Sequence, residues 1–250
     1  IAFNGNKFIY SALGEINGQV LKQASWDESG DYFRIATTRA LPSTRFTSES
    51  SDYYSNIYVL DSSLKVIGSL ENLTTGAEII AARFWGNRAY LLTAKASDHL
   101  FTITLSDPTK PDILGALKVP GSSNYLYPAD ENGSKLISLG YATEENSAGE
   151  TMVSGLKLSL FDFSDLSKPK ELDNYLISTD TGASIALSDH KTFRYSAAKK
   201  ILTVPTVLRE NKRLAFSGEL VFSLSNNQLE LKGKIDHSAG GYFAQADSWE

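Results

Sequence analysis

The stretch that decides the fold is Ile80-Ala81-Ala82-Arg83-Phe84-Trp85, then Gly86-Asn87, then Arg88-Ala89-Tyr90-Leu91-Leu92-Thr93-Ala94-Lys95. Two short runs rich in apolar and aromatic residues flank a pair of turn formers, which is the pattern of a β-hairpin. Working outward, Leu100 to Leu105 and Ile113 to Val119 read as two more strands. The unit is therefore hairpin, variable loop, hairpin. Gly76 to Arg83 has the length of a short helix, but its Ile79-Ile80 pair fits a strand equally well. No long amphipathic helix appears anywhere in the chain.

The same unit recurs three more times. Lys22 to Asp27 turns through Glu28-Ser29-Gly30-Asp31 into Tyr32 to Thr38, followed by Asn56 to Leu60 and Leu64 to Leu70. Tyr125 to Ala129 turns at Glu131-Asn132-Gly133 into Lys135 to Ala142, followed by Leu156 to Phe163 and Glu171 to Ile177. Thr192 to Tyr195 turns at Ala197-Ala198 into Ile201 to Leu208, followed by Glu219 to Leu224 and Gln228 to Ile235. The first turns fall near residues 30, 86, 132 and 198, so the spacings are about 56, 46 and 66. A four-stranded propeller blade takes roughly 40–50 residues, and the excess lies in the loop between second and third strands. Variable loops on a constant hairpin frame are what a repeat array produces. Two third-to-fourth-strand connections also echo each other, Ser106-Asp107-Pro108-Thr109-Lys110-Pro111 and Ser164-Asp165-Leu166-Ser167-Lys168-Pro169. Each opens with a Ser-Asp turn and closes with a Pro that stops further pairing.

The fold expected is all-β: a β-propeller of four-stranded antiparallel blades occupying 1–250, with blades at roughly 22–70, 80–119, 125–177 and 192–235. Single flanking strands are expected at 7–14 and 241–246, as parts of a larger ring. The start at Ile1-Ala2-Phe3 reads as a mature or trimmed chain. The expected core includes Phe84, Trp85, Leu91, Ile103, Leu105, Leu160, Phe161 and Phe222.

Composition narrows the function. The 250 residues hold no Cys, one Met and three His, with 24 Lys+Arg against 29 Asp+Glu. Without Cys there is no disulfide framework, thiolate zinc site, iron–sulfur cluster or Cys nucleophile. A net charge of -5 argues against a nucleic-acid partner, whose footprint is basic. No apolar run approaches the roughly 18 residues of a membrane-spanning helix.

Several segments resemble a family of secreted β-propeller proteins of bacteria and archaea, distantly related to WD repeats. They are Leu21-Lys22-Gln23-Ala24-Ser25-Trp26-Asp27-Glu28 with Tyr32-Phe33-Arg34-Ile35-Ala36-Thr37-Thr38, then Arg83 to Leu91. Next come Leu105-Ser106-Asp107-Pro108 running on to Leu114-Gly115 and Val119-Pro120-Gly121, then Ser159-Leu160-Phe161-Asp162 and Asp189-His190-Lys191. The resemblance implies an extracytoplasmic propeller, secreted or at the cell surface, with no assigned activity. Where the family often carries His and Pro, this chain has Tyr127 and His99, so metal or catalytic use of those positions is not carried over.

Candidate functional residues follow from the expected geometry. Second-to-third-strand loops and inter-blade connections should emerge on one face, and loops on a rigid scaffold commonly carry function. That face would collect Arg39, Arg45, Tyr53, Tyr54, Lys95, His99, Tyr125, Arg209 and Arg213, with Glu144, Glu145, Glu150 and Lys212 beside them. Tyr and Arg suit a protein or glycan contact. Ser43 to Ser55 and Thr143 to Ser154 read as loops by composition. The rival reading is a channel-mouth enzyme, a metal-assisted hydrolase built on Asp189 and His190. Each of the three His follows an Asp, but neighbours in a strand point to opposite faces, and turn chemistry accounts for the pairs more simply. No catalytic residue and no cofactor are expected. Calcium is the one metal for which donors exist, at Asp27 to Asp31 and Asp130 to Gly133, and neither turn has the EF-hand spacing. The sequons Asn72-Leu73-Thr74 and Asn132-Gly133-Ser134 are too common a pattern to weigh. Oligomeric state has no signature in the sequence.

Overall fold

The computed structural model describes residues 2–40, 53–74, 76–94, 99–119, 121–145, 151–178 and 181–238. The chain divides into two compact units. Unit 1 runs to Val119 and also takes in Leu166–Lys168; unit 2 is the remainder from Pro120.

Unit 1 begins with a small hairpin, β1 (Ala2–Asn4) and β2 (Lys7–Ile9). The single strand expected at 7–14 is thus shorter and paired with a strand before it, and residues 10–16 have no regular structure. Two antiparallel sheets follow. The first orders β3 (Trp26–Ser29), β4 (Tyr32–Ala40), β5 (Tyr53–Leu60) and β6 (Val66–Leu70). The second orders β7 (Glu78–Trp85), β8 (Arg88–Ala94), β9 (His99–Thr104) and β10 (Asp112–Lys118). The opening stretch is the β7–β8 hairpin, with Trp85 opposite Arg88. Gly76 to Arg83 is strand from Glu78 onward, its Ile79 and Ala81 buried. Lys22 to Asp27 is not one strand: Gln23–Ser25 forms a 3-10 turn before β3 begins.

Unit 2 holds the other two sheets. One orders β11 (Ser122–Pro128), β12 (Lys135–Glu145), β13 (Thr151–Asp162) and β14 (Lys170–Ser178). Part of the loop expected at Thr143 to Ser154 is strand, with Thr143 paired to Val153 and Glu144 to Met152. Polar composition there reflects a hairpin edge facing water rather than missing pairing. The last sheet contains β15 (Thr181–Ala183), β16 (Arg194–Ser196), β17 (Ile201–Glu210), β18 (Arg213–Ser225) and β19 (Gln228–Asp236). Its first-strand place is split, because β15 and β16 both pair with β17 at different heights. Two short 3-10 turns, Ile185–Leu187 and His190–Thr192, connect them. The expected strand at 241–246 lies outside the described residues.

The alternation seen in sequence is visible in burial. Along β17, Leu202, Val204, Thr206 and Leu208 are buried and their neighbours are half-buried, the period of two of a strand. Of the expected core, Phe84, Leu91, Ile103, Leu105, Leu160, Phe161 and Phe222 are buried. Trp85 is the exception, half-buried with the Arg83 guanidinium 5.8 Å from its ring centroid.

Two details recur among the four sheets. A backbone bond ties the end of the third strand to the first turn in three of them: Leu105 N–H to Asn87 O, Phe163 to Ser134 and Leu224 to Lys200, at 2.7–2.8 Å. Every third-to-fourth-strand pair skips one residue, so that Gly68 faces Val59, Gly115 faces Thr102, Asp173 faces Leu160 and Gly233 faces Val221. Such bulges bend the outer strand and increase its twist.

Candidate functional site

The site begins with a close backbone approach. Gly18 sits at φ +98, and a Cβ there would lie 2.8 Å from Thr37 Oγ1 and 2.9 Å from Thr38 O. Only glycine takes both that conformation and that proximity. It lets Gln19 pair with Thr38 in both directions, N–H to O at 2.8 and 2.9 Å. Thr37 donates its hydroxyl to Asn17 O at 2.7 Å, and Thr38 Oγ1 accepts the Ile79 N–H at 3.1 Å. The segment Gly18–Leu21 is thereby held against the end of β4.

Between this segment, the ends of β4 and β5, and the start of β7 lies a cleft of about 480 Å3. Gln19, Thr38, Arg39, Tyr53 and Glu78 supply its polar side chains; Val20, Leu21, Ala40 and Ile79 supply its apolar ones. Val20 and Leu21 are both more than 40% exposed. The register places Arg39 opposite Tyr54 and Ala40 opposite Tyr53, and the Arg39 guanidinium stands 5.9 Å from the Tyr54 ring centroid. That stacking preorganises the cation at the cleft's edge. Lys22, just beyond Leu21, has its amine pushed below the usual lysine range by burial. The cleft offers a cation, an anion, an amide and an apolar wall within one groove.

The other candidates fall elsewhere. Arg45 and Lys95 lie outside the described residues. His99 is half-buried on β9 with its ring 5.7 Å from Phe101, and it does not line the cleft. Tyr125, expected on an exposed face, is instead 7% exposed and belongs to the unit 2 core. It packs edge-on to Phe193 at 5.7 Å and lies 6.2 Å from Tyr127; β11 starts at Ser122, so Tyr125 lies within the strand rather than at its start. Arg209 and Arg213 flank the two-residue β17–β18 turn, with Glu210 opposite Arg213 and Arg209 opposite Leu214. Asp189 is exposed and takes the Lys191 N–H at 3.0 Å, while its carbonyl accepts the Thr192 hydroxyl at 2.7 Å. Those bonds close the 3-10 turn at His190–Thr192.

The acidic turns serve as local caps. Asp27 is engaged by Arg34, with Nε to Oδ1 at 2.7 Å, and Asp130 accepts the Ser134 N–H at 2.7 Å. Among the described residues, no group of three or more His, Asp or Glu is placed to hold a metal ion. Gln19, Val20, Leu21, Glu78 and Ile79 carried no signal in sequence. They meet only because two non-local contacts converge on Thr38, the Gln19 bridge and the Ile79 N–H to its Oγ1.

A family model described as a β-propeller domain matches residues 1–250, and the chain belongs to that family. An uncharacterized protein of Methanocaldococcus jannaschii is 34% identical over 224 residues, covering 90% of this chain and 32% of its own. An uncharacterized protein of Archaeoglobus fulgidus is 34% identical over 194 residues, covering 77% and 27%. The chain therefore spans about a third or less of the length of these curated relatives. Among solved structures, a chain of the COPII outer coat vertex on membranes matches with a TM-score of 0.46 at 11% identity, covering 82% of this chain and 48% of that one. A chain of the COPII coat assembled on membranes gives the same TM-score and identity, covering 82% and 26%. Among the described residues, no helix is long and apolar enough to cross a membrane.

Proposed function

We propose that this β-propeller domain is a recognition scaffold and that its cleft in unit 1 takes an extended segment of a protein partner. The observation that carries the reading is the lining itself. Arg39 and Glu78 can pair with charges of either sign, Gln19 can bond a peptide group, and exposed Val20 and Leu21 can receive an apolar side chain. Grooves of this mixed kind place a few oriented polar groups on an apolar wall, and Arg and Tyr are the side chains that most often dominate contact energies. The rigid part is supplied by β4 and β5, whose pairing continues to Ala40 and Tyr53. We further place the domain outside the cytoplasm, on the strength of its resemblance to secreted propellers.

The test is binding to peptide and glycan arrays, followed by titration of the best ligand against Arg39→Ala and Tyr53→Ala. At least a tenfold loss of affinity for a peptide is expected in each, with an unchanged melting temperature. Affinity unaffected by either substitution overturns the cleft as the site, and binding to glycans alone overturns the peptide assignment.

A further inference from the structure

Strand register decides which way the backbone points at the cleft. Tyr53 and Ser55 turn their carbonyls away from β4, where they accept the Gly76 and Leu73 N–H groups at 2.9 Å. Tyr53 lies opposite Ala40, and Ser55 opposite Thr38. Opposed residues of an antiparallel pair either exchange both bonds or both turn away. Thr38 and Ala40 therefore point their N–H and C=O groups away from β5. Thr38 gives both to Gln19. The same ladder, continued by two residues, would set Asn17 opposite Ala40. It stops because Gly18, at φ +98, turns the chain aside, and Asn17 O accepts the Thr37 hydroxyl instead. Ala40 is exposed, and among the described residues no backbone group meets its cleft-side N–H or C=O. An edge amide and carbonyl of this kind form a template for an added strand.

The neighbouring side chains set what that strand must carry. Ala36 packs in one core with Ile79, and Thr38 Oγ1 meets the Ile79 N–H. Ala36, Thr38 and Ala40 thus lie on the β7 side of β4, and Arg39 lies on the other. A residue bonded opposite Ala40 would place its side chain on the β7 side as well, where Glu78 and Ile79 line the cleft. Its two neighbours would fall on the Arg39 side, beside the guanidinium near the Tyr54 ring. Among the described residues, neither Arg39 nor Glu78 takes part in an ion pair.

On the reading that the cleft is the recognition site, we infer that it binds by strand addition. An extended segment of the partner pairs antiparallel with β4 at Ala40, in the sense of the Gln19 bridge. It carries a basic residue opposite Ala40 for Glu78 and an acidic residue next to it for Arg39. Backbone bonds give affinity that any sequence shares, and the two charges fix the register. A slip of one residue exchanges the faces and brings each charge beside its like, which is penalised.

The experiment titrates the full-length protein with a blocked, fluorescein-labelled heptapeptide, Thr-Val-Glu-Lys-Glu-Val-Thr, read by anisotropy. N-methylation of the central Lys removes the N–H that donates to the Ala40 carbonyl and should weaken binding at least tenfold. N-methylation of the Glu before it, whose N–H points outward, should weaken it less than threefold. Glu78→Lys should reverse the preference, favouring the peptide with Glu in the central place. Equal effects of the two methylations, with binding still lost in Arg39→Ala, overturn strand addition and leave the cleft as the site. An unchanged preference in Glu78→Lys overturns the register. Binding that survives Arg39→Ala overturns the cleft itself, and the pairing at Ala40 with it. No binding at millimolar peptide overturns the proposal, whereas the cleft then stands or falls on the array result.

Discussion

The two units solve one packing problem with different chemistry. In unit 1 the core between its two sheets joins Ile57, Val59 and Ala36 to Phe84, Leu91 and Ile103, and a buried charge is added to it. Arg34, 4% exposed, pairs with Asp27, reaches the Gly86 carbonyl, and lies 5.3 Å from the Phe84 ring centroid. In unit 2 the core continues from Leu156, Leu158 and Leu160 through Phe222 and Leu224, with Tyr125, Tyr127, Phe193 and Tyr195 closing one end. A buried ion pair is directional but demands that every partner be present, whereas an apolar and aromatic cluster tolerates adjustment and draws its stability from area. The repeat frame therefore specifies where two sheets meet without specifying what joins them.

The largest effect should come from the apolar junction. Phe222 is fully buried, with its ring centroid 5.0 Å from that of Tyr175, so Phe222→Ala should cost about 3–5 kcal/mol in urea unfolding. A cost below about 1 kcal/mol would break the contrast, because unit 2 would then not depend on its aromatic packing. Next is the charged junction. Asp27→Asn leaves a buried guanidinium without its counter-ion and should cost about 2–3 kcal/mol. A replacement of both partners, Arg34→Met with Asp27→Leu, should recover most of that loss; no recovery would mean the Gly86 and Phe84 contacts matter more than the pair.

A third prediction compares two glycines at matching places. Gly68→Val pushes a side chain into the Pro108 carbonyl and should cost about 1–3 kcal/mol. Gly233→Val meets nothing within 4 Å among the described residues and should be nearly neutral. Equal costs would erase the distinction between a glycine pressed by a backbone carbonyl and one that is not.

The smallest effect is electrostatic and confined to unit 2. Burial pushes the Glu219 carboxyl above its ordinary value of 4.5, with His237 and Arg194 pulling it partly back, and its Oε2 has no hydrogen-bond partner among the described residues. A raised acid favours the protonated fold, so stability is gained below the ordinary value and lost as pH rises through the raised one. Glu219→Gln should therefore raise the melting temperature slightly at pH 7, with the gain vanishing below about pH 4.5. A gain that persists unchanged at pH 3.5 would assign it to packing instead.

Much of this was legible beforehand, and the misses have particular causes. The Gly86-Asn87 hairpin, the echoing turns after Leu105 and Phe163, and the alternation along Ile201 to Leu208 all rest on local chemistry that sequence displays. Asn226-Asn227, at φ +52 and +62, closes β18 onto β19 in the conformation that two-residue hairpin loops require. The split first strand of the last sheet was not legible, because Thr181–Ala183 is too short to alternate and is strand only by pairing with β17. Tyr125 failed as a surface residue for a different reason: which way an aromatic within a strand turns depends on what packs beside it, here Phe193. The cleft was half visible. Arg39, Tyr53 and Tyr54 sit where a strand-end rule puts them, while Gly18–Leu21 arrive through the Gln19–Thr38 bridge and Glu78 through the Ile79 bond to Thr38, neither of which a local pattern displays.

Sequence alone determined most of the strands, their order in hairpins and the four repeated sheets, because turn residues and a period of two act over a few residues and need no partner. Tertiary structure decided the rest: that Arg34 is buried and paired, that Gln19 returns to β4 beside a cleft, and that the Pro108 carbonyl crowds Gly68. Those outcomes depend on which distant backbone atom arrives at a given edge, and no local pattern in the chain encodes that meeting.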